Sequence, residues 1–281
     1  MERIDRLGWA AGLALNSYGV KIGVRVSEPD VLERIAALLP PGWKPARTPK
    51  VERLYSLRVG GQGTRAGVRR FNLLYADAEQ VSRTMELGQA LETLESDLQL
   101  YVAETARRRV FVHAGVVRWR GHAIVIPGRA FSGKSTLVME LIEAGATYYS
   151  DEYAVCDRQG RVHPYPKPPS LRSNGGVARP KGVAPRAGVK PIPVGVVLLT
   201  SYRPGARWRP RVLSQGRAVL EILRQTVSAR MDPGVAIDTL QQVAAGALVL
   251  KGVRGEAREM VDSLVCRASE YICSREEVGS Q

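Results

Sequence analysis

Acidic residues are missing from the middle of this chain: between Arg158 and Leu220 there is no Asp or Glu, against thirteen Lys and Arg. The formal charge of the 281-residue chain is +14, so this one segment holds nearly all of the excess. Cysteine is scarce too. Cys156, Cys266 and Cys273 have neither metal-ligand spacing nor an even count, which argues against a zinc site and a disulfide framework. With no secretory segment, they are expected to be reduced thiols of a cytoplasmic protein. The apolar run near Trp9 to Leu15 is too short for a membrane span and stops at Asn16. Membrane insertion is therefore not expected, although +14 permits loose contact with an anionic surface. An N-K-x-D guanine-reading motif is absent, as are helix-turn-helix, zinc-finger and RNA-recognition signatures and any internal repeat. With 44% hydrophobic residues, the chain can bury one large core or two smaller ones.

What is present centres on Gly128 to Ser135, G-R-A-F-S-G-K-S, which fits the Walker A pattern G-x-x-x-x-G-K-[ST]. Gly128 and Gly133 let the backbone curl so that N–H groups converge on one anion. Lys134 then reaches the β- and γ-phosphates, and the Ser135 hydroxyl can ligate Mg²⁺. The context agrees. His122 to Pro127 is a short apolar run of strand type, and Leu137, Val138, Leu141 and Ile142 recur at helical spacing before Gly145. Strand, glycine loop and helix aim the positive helix end at the phosphates. The pattern predicts binding of ATP with Mg²⁺ through Gly128, Arg129, Ala130, Phe131, Ser132, Gly133, Lys134, Ser135 and Thr136.

After this helix, Ala146 to Tyr149 reads as a strand, followed by Ser150, Asp151 and Glu152. A right-handed crossover makes that strand parallel to the first, so its C-terminal end emerges on the same sheet edge as the loop. Asp151 and Glu152 are then expected beside the Mg²⁺ and the γ-phosphate. A carboxylate there can hold the metal or accept a proton from an attacking hydroxyl. Upstream, 109–117 and 122–127 form a plausible antiparallel hairpin. His113 on its first arm is either a hydrogen-bonded core residue or a catalyst.

The stretch H-A-G-V-V-R-W-R-G-H-A-I-V-I-P-G-R-A-F-S-G-K-S-T-L, followed by A-G-A-T-Y-Y-S-D-E, resembles the core of the HPr kinase/phosphorylase family. It is most similar to the diverged HPr-kinase-like serine kinases with a phosphoenolpyruvate-carboxykinase-like fold. The motif-level match spans about residues 109 to 157, and His163 to Arg172, H-P-Y-P-K-P-P-S-L-R, also looks like those relatives. The resemblance implies an α/β P-loop kinase core that moves the γ-phosphoryl group of ATP to a hydroxyl, with a serine of a peptide or protein as the expected acceptor. It assigns the reaction to His113, Lys134, Ser135 and Asp151, with Asp151 as general base and Ser135, Asp151 and Glu152 toward the metal. Three departures stand out. Glu152 replaces the second Asp of the family's pair, Phe131 is bulkier than usual, and the family's downstream glutamate has no counterpart in the acid-free stretch. Reverse phosphorolysis and HPr itself as substrate are accordingly not expected.

The basic stretch allows three readings: an electropositive lip for an acidic peptide or metabolite, a nucleic-acid track around Trp208, or a solvated loop. Lys167 and Arg172 are the candidate substrate contacts. From His163 to Pro193 the stretch is rich in Pro and Gly and is expected to be loop.

Residues 1–108 read as an N-terminal α/β unit for structural cover or substrate docking, 109–273 as the catalytic domain, and 274–281 as a fraying tail. In the first unit a strand is expected over 18–26, a helix over 31–39, strands near 54–59 and 70–75, and a long helix from about Ala78 to Ala106. In the second, strands over 194–200 and 247–250 and helices over 215–227, 233–245 and 256–266 follow the basic stretch. A pseudokinase-type nucleotide regulator and a nucleic-acid-stimulated ATPase remain the alternatives, and a homo-oligomer is compatible with either.

Overall fold

The computed structural model describes residues 2–60, 70–128, 132–167, 171–173, 176–178 and 187–279, side chains excepted at 2–3, 171–173, 176–178 and 278–279. The protein is mixed α/β, with one six-stranded and one eight-stranded mixed sheet among the described residues. It divides into two compact units, Met1–Arg107 and Arg108–Gln281.

The first unit runs α1 (Glu2–Asp5), β1 (Ala11–Ser17), β2 (Val20–Val26), α2 (Asp30–Ala36), β3 (Lys44–Pro45), β4 (Arg53–Arg58), β5 (Asn72–Ala76), β6 (Glu79–Thr84) and α3 (Leu87–Thr105). Its strands lie in the order β3-β1-β2-β4-β5-β6, with β2 and β4 parallel. The Trp9 to Leu15 run supplies most of β1, which turns through Tyr18 and Gly19 into β2. Leu91, Leu94, Leu98 and Val102 share one face of α3 and bury with Val24, Tyr55 and Leu74.

The helix expected from Ala78 starts only at Leu87. Residues 79–84 instead pair with β5 around Asp77, which takes φ +53°. Aspartate tolerates that conformation in a tight hairpin, and its carboxylate accepts from the Leu54 amide at 2.9 Å. Val81 and Met85 have helical spacing, yet Met85 is 57% exposed and lies outside the core.

The second unit comprises β7 (Val110–Trp119), β8 (His122–Pro127), α4 (Lys134–Glu143), β9 (Thr147–Ser150), β10 (Tyr153–Cys156), β11 (Arg161–His163), β12 (Leu171–Ser173), β13 (Gly176–Ala178), β14 (Ile192–Tyr202), β15 (Arg211–Val212), α5 (Gln215–Leu223), α6 (Pro233–Ala245), β16 (Leu248–Arg254) and α7 (Ala257–Gly279). The sheet order is β11-β10-β7-β8-β14-β16-β15, with β9 also pairing β7. Alternation along the strands serves two cores. Ile124, Ile126, Val196 and Leu198 pack with Leu137 and Val138 of α4 and Leu264 of α7. Val125, Val197, Leu199 and Val249 face Val219 of α5 and Leu240 of α6. Helices thus cover both sheet faces.

Several bounds differ from expectation. The chain leaves α5 at Leu223 because Thr226 bridges Val112 and the Val227 amide donates to the Phe111 carbonyl at 2.8 Å. The last helix does not stop at Cys266. Instead α7 continues to Gly279, and Arg275 donates to the Ala245 carbonyl at 3.2 Å. β16 runs on to Arg254, beyond the expected Leu250. The supposed loop of 163–193 contains the β12/β13 hairpin and a bridge from Tyr148 to Ala187. Among the described residues, no helix is long and apolar enough to cross a membrane.

Strand direction positions the site. β8, β14 and β16 are parallel. β9 is antiparallel to β7, as β8 is, and therefore points the same way. Gly128, Asp151, Ser201 and Val253 consequently lie at or just past the C-terminal ends of strands on one edge of the sheet.

Candidate functional site

The loop leaves β8 at Gly128, whose amide donates to the His113 carbonyl at 3.1 Å. Arg129, Ala130 and Phe131 lie outside the described residues. Gly133 caps α4 with φ +78°, a conformation that favours glycine, and a Cβ there would displace Arg254 Nη2. The N-cap of α4 is a glycine, so no N-cap side chain takes up an amide of its first turn. Lys134 is half-buried, and burial makes its ammonium easier to deprotonate, against the pull of Asp151 and Glu152. Thr136 is exposed.

β7 lies between β8 and β9 and lets α4 approach closely. A Cβ on Gly115 would stand 2.5 Å from Val138 Cγ2 and 3.7 Å from Asp151 Oδ1. Asp151 follows β9 in this seam. Burial pushes its carboxyl up to about 6. A hydrogen bond with Ser135 and the charge of Lys134 pull the other way, while Glu152 raises it further. Asp151 Oδ1 is buried with no hydrogen-bond partner among the described residues, and so is Ser132 Oγ.

Glu152 turns toward Lys167, with Oε2 3.8 Å from Nζ. Lys167 is held there from behind, because the Tyr148 hydroxyl donates to its carbonyl. The side chain of Arg172 lies outside the described residues. His113 stacks obliquely on Tyr153 with ring centres 4.8 Å apart, and its amide donates to the Gln225 carbonyl at 2.8 Å. Burial lowers its proton affinity and Lys134 lowers it further, against Glu152, so the imidazole is neutral at neutral pH. His113 forms part of the wall beside Glu152.

Sequence reasoning missed Tyr148 and Arg254. Arg254 is 3% exposed, donates from Nη2 to the Gly133 carbonyl at 3.0 Å and from Nη1 to Gly255 at 2.9 Å, and lies over the Tyr202 ring. It fastens the end of β16 to the glycine loop at Gly133. No local motif announces it.

The residues present suit a triphosphate and a magnesium ion. Two buried oxygens without a partner among the described residues, the N-terminus of the ten-residue α4 and a half-buried lysine lie at one strand edge. Ser135 and Asp151 are already in contact, with Glu152 adjacent. No cluster of three or more His, Cys, Asp or Glu that could hold a metal occurs among the described residues. Magnesium at phosphate sites typically takes only one or two carboxylates, the rest being phosphate and water. No protein-family model matches the chain, and no curated protein matches it.

Proposed function

We propose that this chain is an ATP-dependent phosphotransferase with a P-loop core of the HPr-kinase-like type. Its acceptor is a hydroxyl, with a peptide or protein serine as the first candidate. The observation that carries the reading is Asp151: a buried carboxylate with raised proton affinity, bonded to Ser135 and beside Lys134, at the strand end next to the phosphate loop. A base whose proton affinity lies near operating pH is suited to general-base work.

In this reading Asp151 takes the proton of the acceptor hydroxyl as that oxygen bonds to the γ-phosphorus and the bond to the bridging oxygen breaks. Lys134 and the α4 amides face the charge released on the departing diphosphate. Ser135, Asp151 and Glu152 would hold Mg²⁺, which supplies further positive charge to the phosphoryl oxygens. Lys167, tethered through Glu152 and Tyr148, faces the acceptor side, where an acidic substrate would meet it. Three unpaired cysteines suit a cytoplasmic setting.

The test is incubation with Mg²⁺ and γ-labelled ATP in fractionated extract of its own cell, beside Asp151→Asn. Label transferred to a peptide, protein or metabolite by wild type alone supports the kinase. ATP binding without transfer in any fraction favours a nucleotide-dependent regulator. Hydrolysis stimulated by DNA or RNA and suppressed by salt would move the reading to a nucleic-acid ATPase.

A further inference from the structure

Beside the phosphate loop a cleft of about 600 Å³ opens at the C-terminal ends of β8, β14 and β16. Gly128 and Ser132 border it on the loop side, and Leu199 and Val253 add apolar wall. Arg209, Arg211 and Lys251 make it electropositive. Its carboxylate, Glu221, is held by Lys251 Nζ at 2.8 Å and Arg224 at 3.2 Å. Two hydroxyls in the lining, Ser132 Oγ and Thr200 Oγ1, are shut off from solvent and have no hydrogen-bond partner among the described residues.

Sheet order says which end of a nucleotide belongs here. β7 and β9 flank β8 on one side and lead to Asp151, while β14 and β16 flank it on the other and floor the cleft. In phosphoryl transfer the attacking and leaving oxygens lie roughly in line through phosphorus. A base at Asp151 puts the acceptor hydroxyl on the β9 side. The leaving diphosphate, with the nucleoside attached, then departs toward β14. An acceptor seated in the cleft would have to cross the loop to reach Asp151.

We infer that this cleft takes the ribose and base of the nucleoside triphosphate, an inference that rests on the kinase reading above. Its volume falls within the roughly 300–1,000 Å³ usual for small-molecule sites. Guanidinium groups stack well on heteroaromatic rings and also neutralise phosphate, which suits Arg209 and Arg211. The Glu221–Lys251 pair in the lining supplies an acceptor and a donor for ribose and base edges. Two cations of the acid-free stretch therefore serve the nucleotide rather than an acceptor or a nucleic acid.

The test compares Mg²⁺-ATP with inorganic tripolyphosphate by titration calorimetry in wild type, Lys134→Ala, Ser201→Trp and Val253→Phe. Ser201 is an exposed residue of the cleft lining, so a tryptophan there fills space without disturbing the core. The expected result for Ser201→Trp and Val253→Phe is a rise of about tenfold or more in the Kd for ATP, equivalent to about 1.4 kcal/mol, with tripolyphosphate changed less than about twofold; Lys134→Ala should weaken both ligands. Tripolyphosphate binding also reports that each variant is folded. Equal weakening of both ligands by Ser201→Trp and Val253→Phe, or unchanged ATP binding in both of these variants, overturns the inference while leaving the phosphate-loop reading standing. If wild type binds neither ligand, or Lys134→Ala binds both as well as wild type does, the phosphate-loop reading falls and the cleft inference falls with it. As a second readout, photolysis of 8-azido-ATP should label peptides from 199–211 or 251–254. Label confined to 151–167 overturns the assignment.

Discussion

Replacing Asp151 by Asn probes the site without any substrate. Burial lifts this carboxyl from an ordinary 3.8 to about 6, so at pH 7.5 the nucleotide-free protein carries an anion that folding disfavours. Each factor of ten in proton affinity is worth about 1.4 kcal/mol, which caps the penalty at about 3 kcal/mol. Because the folded-state value is the higher one, stability is full below pH 4 and declines as pH rises toward 6. Asp151→Asn keeps the shape and a partner for Ser135 but cannot ionise, so the penalty disappears. Lys134 loses a counter-charge in the exchange, which offsets part of the gain. A net stabilisation of about 1–2 kcal/mol remains, or about 2–8 °C in Tm for a unit of this size. Scanning calorimetry from pH 4 to 8 without nucleotide reads it directly. The gain should appear above pH 6 and vanish near pH 4. A variant less stable than wild type at pH 7.5, or a gain independent of pH, would refute the picture of a strained, buried carboxylate.

Other perturbations discriminate parts of the same architecture. Gly115→Ala should cost about 1–3 kcal/mol in denaturant unfolding, since the new methyl meets Val138 at 2.5 Å; a neutral result would mean that α4 is not seated on β7. Arg254→Lys cannot reproduce a guanidinium bridging the Gly133 and Gly255 carbonyls. Nucleotide affinity should fall about tenfold in titration calorimetry, and unchanged affinity would remove Arg254 from the loop's support. Burial raises the Asp157 carboxyl, but hydrogen bonds from His163 and Arg161 outweigh it and hold the group below its ordinary value. Asp157→Asn should therefore cost about 1–3 kcal/mol at pH 7, with the difference from wild type shrinking as pH falls below 4. A pH-independent difference would contradict the charge argument.

The elements read well from sequence are those whose signals are local. The helix expected over 233–245 forms as α6, capped by the Asp232 carboxylate, which accepts from the Val235 amide at 3.1 Å. The strand-type run of His122 to Pro127 and the helical spacing after Lys134 likewise describe β8 and α4. Local signals also misled. Val81 and Met85 mimic a helical stripe, and only pairing with β5 makes that segment a strand. Within the site, Lys134, Ser135, Asp151 and Glu152 are legible because one motif and one crossover bring them to a common edge. Arg254 and Glu221 are not. Arg254 reaches Gly133 across 121 positions, and Glu221 meets Lys251 only after two helices and a strand have packed.

The placing of β7 between β8 and β9 carries a consequence for the order in which the molecule is assembled. β7, β8, α4 and β9 are consecutive in the chain, so the loop, the Ser135–Asp151 contact and the Gly115 seam close among near neighbours. Short closures cost less chain entropy and form sooner than long ones. β14 and β16 arrive much later in synthesis, and with them the Arg254 latch and the second wall of the cleft. Until β14 and α7 arrive, Leu137 and Val138 of α4 lack the Val196, Leu198 and Leu264 side chains with which they form a core.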